Sequence, residues 1–223
     1  MAGIGLYGVF YSKCVKTDGV VTGYEGGVKL MGKAISAGFE PNTPDENPLY
    51  ANNGISENDI STGSGGALTM TLDRMTLETS ADLYGTTVKD VSVMVGEESV
   101  SGKEIEYKGD ETSVPIGAAY IKLQQEDGVR SHEVVWYREM TMSRPGEDAQ
   151  TKGETIEWQT PEVEATVAGL QGDGTMPWYR ASRWPTQESA IAYIHTLFGT
   201  TIDAAQAAAI AEELNEGDDE VDV

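Results

Sequence analysis

The chain has 223 residues, 15 Lys and Arg against 37 Asp and Glu, and a net charge of −22. A protein that grips nucleic acid must neutralise phosphates with cations, so this balance excludes tight DNA or RNA binding. One cysteine, Cys14, excludes an internal disulfide framework, and the longest apolar runs, such as Ala207 to Ala211, fall far short of the roughly 20 residues that cross a bilayer.

The N-terminus, Met1-Ala-Gly-Ile-Gly-Leu6, has neither a basic region nor a long apolar run, and the product is expected to stay in the cytoplasm. Met1 to Phe39 then reads as two short strands, Leu6 to Val15 and Val28 to Ile35, joined by a Gly-rich turn with Gly19, Gly23, Gly26 and Gly27. Residues 40–66 hold Pro41, Pro44, Pro48, Asn52-Asn53-Gly54 and Gly63 to Gly66, and too few apolar residues for a core element. A loop of this length is expected to be functional or to be ordered by a partner. Ala67 to Asp73 alternates, with Leu68, Met70 and Leu72 inward and threonines outward, which predicts a half-buried strand. Met75 to Tyr84 predicts a short helix with Gly85 at its C-terminal cap.

Strands are expected at Val88 to Val95 and Glu104 to Lys108. In His132 to Met142, Val134, Trp136, Met140 and Met142 alternate with Glu133, Val135, Tyr137, Glu139 and Thr141, a period near two with both faces partly apolar. Gly117 to Gln124 precedes it, and the Asp127-Gly128 pair between them suits a tight hairpin turn. Strands Glu154 to Gln159 and Glu162 to Val167 follow. Beyond Gly174 the pattern turns helical: Gln187 to Phe198, with Ala190, Ile191, Ile194, Leu197 and Phe198 on one face, and Ala-rich Asp203 to Leu214. The expected organisation is a β domain over 1–174, a helical appendage over 175–215 and an acidic disordered tail over 216–223.

Chemistry is suggested twice and fails both times. Gly3-Ile-Gly-Leu-Tyr-Gly8 has the letters of a dinucleotide fingerprint, but only Met1 and Ala2 precede it, so no strand feeds the loop, and strand follows it instead of helix. Gly27 to Lys33 approximates a phosphate loop, but Ala34 stands where Mg²⁺ needs a Ser or Thr hydroxyl. His132 and His195 have no sequence neighbours spaced as metal ligands, Cys14 reads as a buried inert thiol, and no carboxylate pair stands out as acid and base. No enzyme activity, metal or cofactor is expected.

The block Val134-Val-Trp-Tyr-Arg-Glu-Met140, followed by Thr151-Lys-Gly-Glu-Thr-Ile-Glu-Trp-Gln-Thr-Pro161, closely resembles the major tail proteins, or tail tube proteins, of tailed bacteriophages, the phi13-like group. The resemblance extends to Gly8-Val-Phe-Tyr-Ser-Lys13, Leu49-Tyr-Ala-Asn-Asn53 and Leu68 to Gly85, and covers about 1–169. Trp178-Tyr-Arg180 and the helix after it also look like a common ending, whereas Asp203 to Val223 departs from the pattern. The resemblance implies a mainly β fold, a tail-tube-type β-sandwich with one flanking α-helix, assembled as hexameric β-barrel rings that stack into a tube for double-stranded DNA in the virion tail. It further implies a tape measure protein, a tail terminator and a distal tail or baseplate protein as partners, assembly in the bacterial host cytoplasm, and no membrane association.

Three physical points agree with that implication. Closing subunits into a barrel pairs exposed strand edges, a loop poor in self-burying residues can order by docking on a neighbour, and an acidic lumen repels phosphates so that DNA slides. The candidate lumen acids are Glu104, Glu106, Glu154, Glu157, Glu162 and Glu164. The candidate inter-subunit loop residues are Pro41, Pro44, Leu49, Tyr50, Asn52, Asn53, Ile55 and Ile60. Two alternatives are a tube subunit of a contractile tail or injection particle, and an acidic Ca²⁺- or carbohydrate-binding β-sandwich suggested by Trp136, Trp158, Trp178 and Trp184 among abundant carboxylates.

Overall fold

A computed structural model describes residues 2–43, 47–51, 54–59, 63–144, 146, 160–172 and 174–215. Strands β1 (Ala2–Thr17) and β2 (Val20–Gly32) form a hairpin whose turn, Asp18-Gly19, has both φ angles positive, at 52° and 80°. The Gly-rich turn expected from the sequence is thus narrower than predicted. Gly26 and Gly27, at φ 79° and 75°, lie inside β2, where pairing jumps from Tyr11 opposite Lys29 to Lys13 opposite Glu25. Glycine serves a bulge by the same positive φ that serves a turn, and sequence alone does not separate the two uses.

Lys33 alone separates β2 from β3 (Ala34–Pro41), so the strand expected at 28–35 is divided between two elements. The segment 40–66 contains a hairpin, β4 (Asn47–Ala51) and β5 (Gly54–Asp59). Next come β6 (Gly66–Leu72) and α1 (Leu77–Tyr84). Thr76 caps α1 by accepting from the Thr79 amide, and Gly85 ends it in the left-handed region at φ 69°, as the sequence predicts. β7 (Val88–Val95) pairs with β8 (Glu98–Ile105), which begins earlier than the expected 104–108 because Glu98 to Lys103 exposes both faces and leaves no apolar period to read.

The hairpin β9 (Ile116–Glu126) and β10 (Val129–Met142) turns at Asp127-Gly128, with φ of 50° and 81°, as the sequence predicts. β11 (Glu162–Val167), β12 (Tyr179–Trp184), α2 (Gln187–Leu197) and α3 (Ala204–Asn215) complete the fold. β12 escapes sequence reading because Tyr179-Arg-Ala-Ser-Arg-Trp184 has no clean alternation and is held by its backbone pairing to β10.

The main sheet runs β2-β1-β9-β10-β11-β6-β3, antiparallel throughout, with β12 also on β10. Its two end strands are joined through Lys33, so the sheet folds over and β1–β9–β10 meets β6–β11 across one core. That core holds Val9, Tyr11, Leu68, Met70, Leu72, Tyr137, Met140 and Val163, with Leu83 and Tyr84 of α1. The opposite side of β1–β9–β10 carries Phe10, Ala119, Ile121, Val134 and Trp136, covered by Ala190, Ile191, Ile194 and Phe198 of the α2 segment and by Ala211 and Leu214 of α3. β10 is therefore apolar on both faces because a core lies on each. Residues 175–215 contribute a strand to the main sheet and the helical cover of this second core.

α1 is tied to β1 and β2 by Asp82, which accepts from the Tyr11 hydroxyl at 3.2 Å and pairs with Lys13 at 2.8 Å and with Lys29. Partial burial alone would raise the Asp82 carboxyl, but its lysine partners outweigh that and hold it below the usual carboxylate range. A lowered carboxylate stabilises the fold above its unfolded-state range, and that contribution is lost as pH falls through the folded value. Asp82→Asn is therefore expected to cost about 1 kcal/mol at neutral pH. In thermal melts the gap to the unsubstituted chain should close on acidification below the carboxylate range; a gap that persists there would contradict the ion-pair account.

Candidate functional surface

Among the described residues no cluster of three or more His, Cys, Asp and Glu is arranged to hold a metal ion. His132 lies against the Tyr7 ring at 5.9 Å, and His195 Nδ1 sits 3.0 Å from the Thr200 hydroxyl. Burial lowers both imidazoles, so both favour the neutral form. Cys14 approaches the Arg138 carbonyl at 3.7 Å, and burial, seconded by the Glu139 charge, pushes its thiol up to about 12. No described helix is long and apolar enough to cross a membrane.

Of the six candidate acids, Glu154 and Glu157 lie outside the described residues. Glu162 and Glu164 are exposed on β11, alternating with buried Val163, Ala165 and Val167. Glu162 pairs across to Thr71 and Glu164 to Thr69 on β6, while Ser36 and Gly38 of β3 stand beyond the same two threonines. The Ser36 hydroxyl donates to Thr71 Oγ1 at 2.9 Å. The result is an exposed strip of Ser36, Gly38, Glu40, Thr69, Glu162, Glu164 and Thr166 on the outer side of β3–β6–β11, whose charged side chains are all acidic, with Ile35 also exposed beside Ser36. The helices α2 and α3 cover the β1–β9–β10 half instead.

Glu104 and Glu106 belong to a different structure. Glu104 is exposed near the end of β8, and Glu106, just past it, pairs with Lys89. Among the described residues β7 and β8 form a separate two-stranded arm that pairs as a ladder with itself and no other strand. Its base is tied to α1 by the Lys103–Glu78 pair, and toward its tip Val93, Met94 and Val95 are 62 %, 66 % and 63 % exposed. The six acids therefore do not form one cluster: two lie on the main sheet and two on or beside the arm.

Among the loop candidates, Pro41 ends β3, exposed and opposite Gly66. Leu49, Tyr50 and Ile55 fall in the β4–β5 hairpin, with Leu49 opposite Glu57 and Tyr50 opposite Ile55. Pro44, Asn52, Asn53 and Ile60 lie outside the described residues. Among described residues β2, β3, β12 and the β7–β8 arm each leave a strand edge without a partner strand.

The chain matches no protein-family model and no curated protein. A functional reading therefore rests on residues and geometry.

Sequence reasoning missed a cleft of about 470 Å³ between the start of β2, β10, β12 and the C-terminal end of α2, where Arg138 and Arg180 meet Tyr24, Trp136 and Leu197. Its one sequence-level signal was two arginines two positions from tryptophans, at Trp136/Arg138 and Trp178/Arg180, in a chain short of cations. It also missed Glu139, a buried carboxylate held by Lys16 at 2.6 Å and by the Gln171 amide.

The state of Cys14 gives a direct check. With its thiol protonated and partly buried, it should react with a thiol-labelling reagent at pH 8 far more slowly in the folded protein than in denaturant. Equal rates would contradict the placement of Cys14 against the Arg138 carbonyl.

Proposed function

We propose that this chain is a structural tail tube subunit that forms stacked six-membered rings, whose inner wall is the outer strip of β3–β6–β11, for passage of double-stranded DNA. The reading is supported by the motif resemblance in the sequence and, above all, by the strip itself. Its described residues are serine, threonine, glycine and glutamate, with no lysine or arginine among them. Such a face has nothing with which to hold a phosphate backbone, and its carboxylates repel one.

The rest of the fold is consistent with a wall element. The opposite half is covered by helices, which leaves one broad sheet face open, and among the described residues the sheet order ends in two edges without a partner strand, β3 beside the strip and β2 at the far end. Edges of this kind invite pairing with another chain, and ring closure removes them. Partners at the tube ends and along its length would be the tape measure, terminator and distal tail or baseplate proteins implied by the resemblance.

Concentrated purified protein is expected to form tubes of six-fold symmetry by electron cryo-microscopy, with Glu162 and Glu164 lining the lumen. A species that stays monomeric at every concentration, or tubes with these residues outside, would overturn the reading. Tubes of Glu162→Lys/Glu164→Lys should retain duplex DNA on co-sedimentation at low salt and release it as salt rises, whereas unsubstituted tubes should retain none.

A further inference from the structure

Two unpartnered surfaces on this chain are complementary to each other. The first is the cleft at Arg138 and Arg180. In register, Arg180 stands opposite Trp136, and Arg138 is two residues along the same strand, so both arginines and the indole project from one face of the sheet. The Arg180 guanidinium lies 5.5 Å from the Trp136 ring centroid. None of the described residues lining the cleft is acidic. Among the described residues the ion pairs take Lys13, Lys16, Lys29, Arg74, Lys89 and Lys103, but neither of these arginines.

The floor of the cleft is also unsatisfied. Trp136 is 3 % exposed and its Nε1–H has no acceptor, and the Arg138 Nε beside it is buried without a partner while its Nη2 donates to the Val21 carbonyl. Leaving such groups unpaired is costly, and they concentrate where a surface has a further task. Two guanidiniums over an aromatic floor suit a carboxylate carried on an apolar stem.

The second surface is the tip of the β7–β8 arm. Its two-residue turn, Gly96-Glu97, has Gly96 at φ 67°, and Glu97 and Glu98 stand exposed beside Val93, Met94, Val95 and Val100. A lone two-stranded ribbon is marginal in water, and one with this much apolar side chain uncovered is built to be buried. No arm residue lines the cleft of its own chain. The tip thus supplies what the cleft lacks: two carboxylates on an apolar support.

We infer that the Glu97-Glu98 tip of the β7–β8 arm of one copy docks in the Arg138/Arg180 cleft of the next. The contact joins two different patches, so repetition is head to tail and either closes into a ring or propagates. The inference rests on the self-assembly proposed above and specifies one of its contacts. It also shows how copies carrying −22 each come together at all, since it places the acids of one copy where the next concentrates cations without acids.

The test is sedimentation velocity on the full chain with charge-reversed variants. The Arg180 side chain makes no described hydrogen bond and Glu97 and Glu98 sit at an exposed turn, so Arg180→Glu and Glu97→Arg/Glu98→Arg should each keep the unsubstituted circular dichroism spectrum. Each variant alone should raise the concentration needed for self-association by about tenfold or more. An equimolar mixture of the two should lower it again, because the acidic arm of the first variant meets the doubly cationic cleft of the second, and the basic arm of the second meets a cleft that Arg180→Glu has taken from two cations to one cation and one anion. Unimpaired association of both variants, or a mixture no better than its parts, overturns the contact while leaving the tube reading standing. A chain that never self-associates overturns both.

Discussion

The fold depends on one irregularity, the bulge at Arg138-Glu139 in β10. Before it, His132 to Tyr137 pair with β12; after it, Met140 to Met142 pair with β11 on the same edge. The backbone at the bulge is satisfied from three sides: the Arg138 amide donates to the Trp178 carbonyl at 2.9 Å, the Ala168 amide to the Glu139 carbonyl at 2.9 Å, and the Tyr24 hydroxyl to the Arg138 carbonyl at 2.8 Å. The register shift itself lies on the other edge, where pairing with β9 passes from Tyr137 opposite Ala118 to Met140 opposite Ile116. With it, one strand serves the helix-covered half and the folded-over half, and the side chain of Arg138 is delivered into the cleft while that of Glu139 is buried against Lys16.

Charge follows the same division. The described lysines are largely spent inside the subunit, on Asp82, Glu139, Glu78 and Glu106, where they pin α1, the bulge and the arm. Among the described residues neither the acids of the strip on β3–β6–β11 nor the two arginines of the cleft enter an ion pair. An average over the sequence reports only a strongly acidic chain. The fold separates that average into an acidic sheet face and a cationic cleft.

Much of this was legible in the residues. The Asp127-Gly128 hairpin, the Gly85-capped helix, the alternation of β6 and β11 and the two C-terminal helices were readable because each carries a local signal that tertiary contacts reinforce. The β4–β5 hairpin was hidden by its prolines and asparagines, β12 by its arginines, and the Gly26-Gly27 bulge by its likeness to a turn. Glu162 and Glu164 could be picked as outward-facing from alternation alone. The cleft could not, since its arginines, its indole and its rim from β2 and α2 come together only after the sheet has folded.

The pairing of β1 has a consequence for synthesis. Phe10 lies beside Ala119 and Tyr11 beside Ala118, so the first strand of the chain has no inner neighbour until β9 is made. A ribosome delivers the N-terminus first, and long-range antiparallel pairing is slow to close. The β1–β2 hairpin must therefore wait with one edge bare. The hairpin itself is nearly neutral, with Lys13, Lys16 and Lys29 against Asp18 and Glu25, so repulsion between neighbouring nascent chains comes from the acids that follow it, from Glu40 to Glu111, while those edges wait for their partner strand.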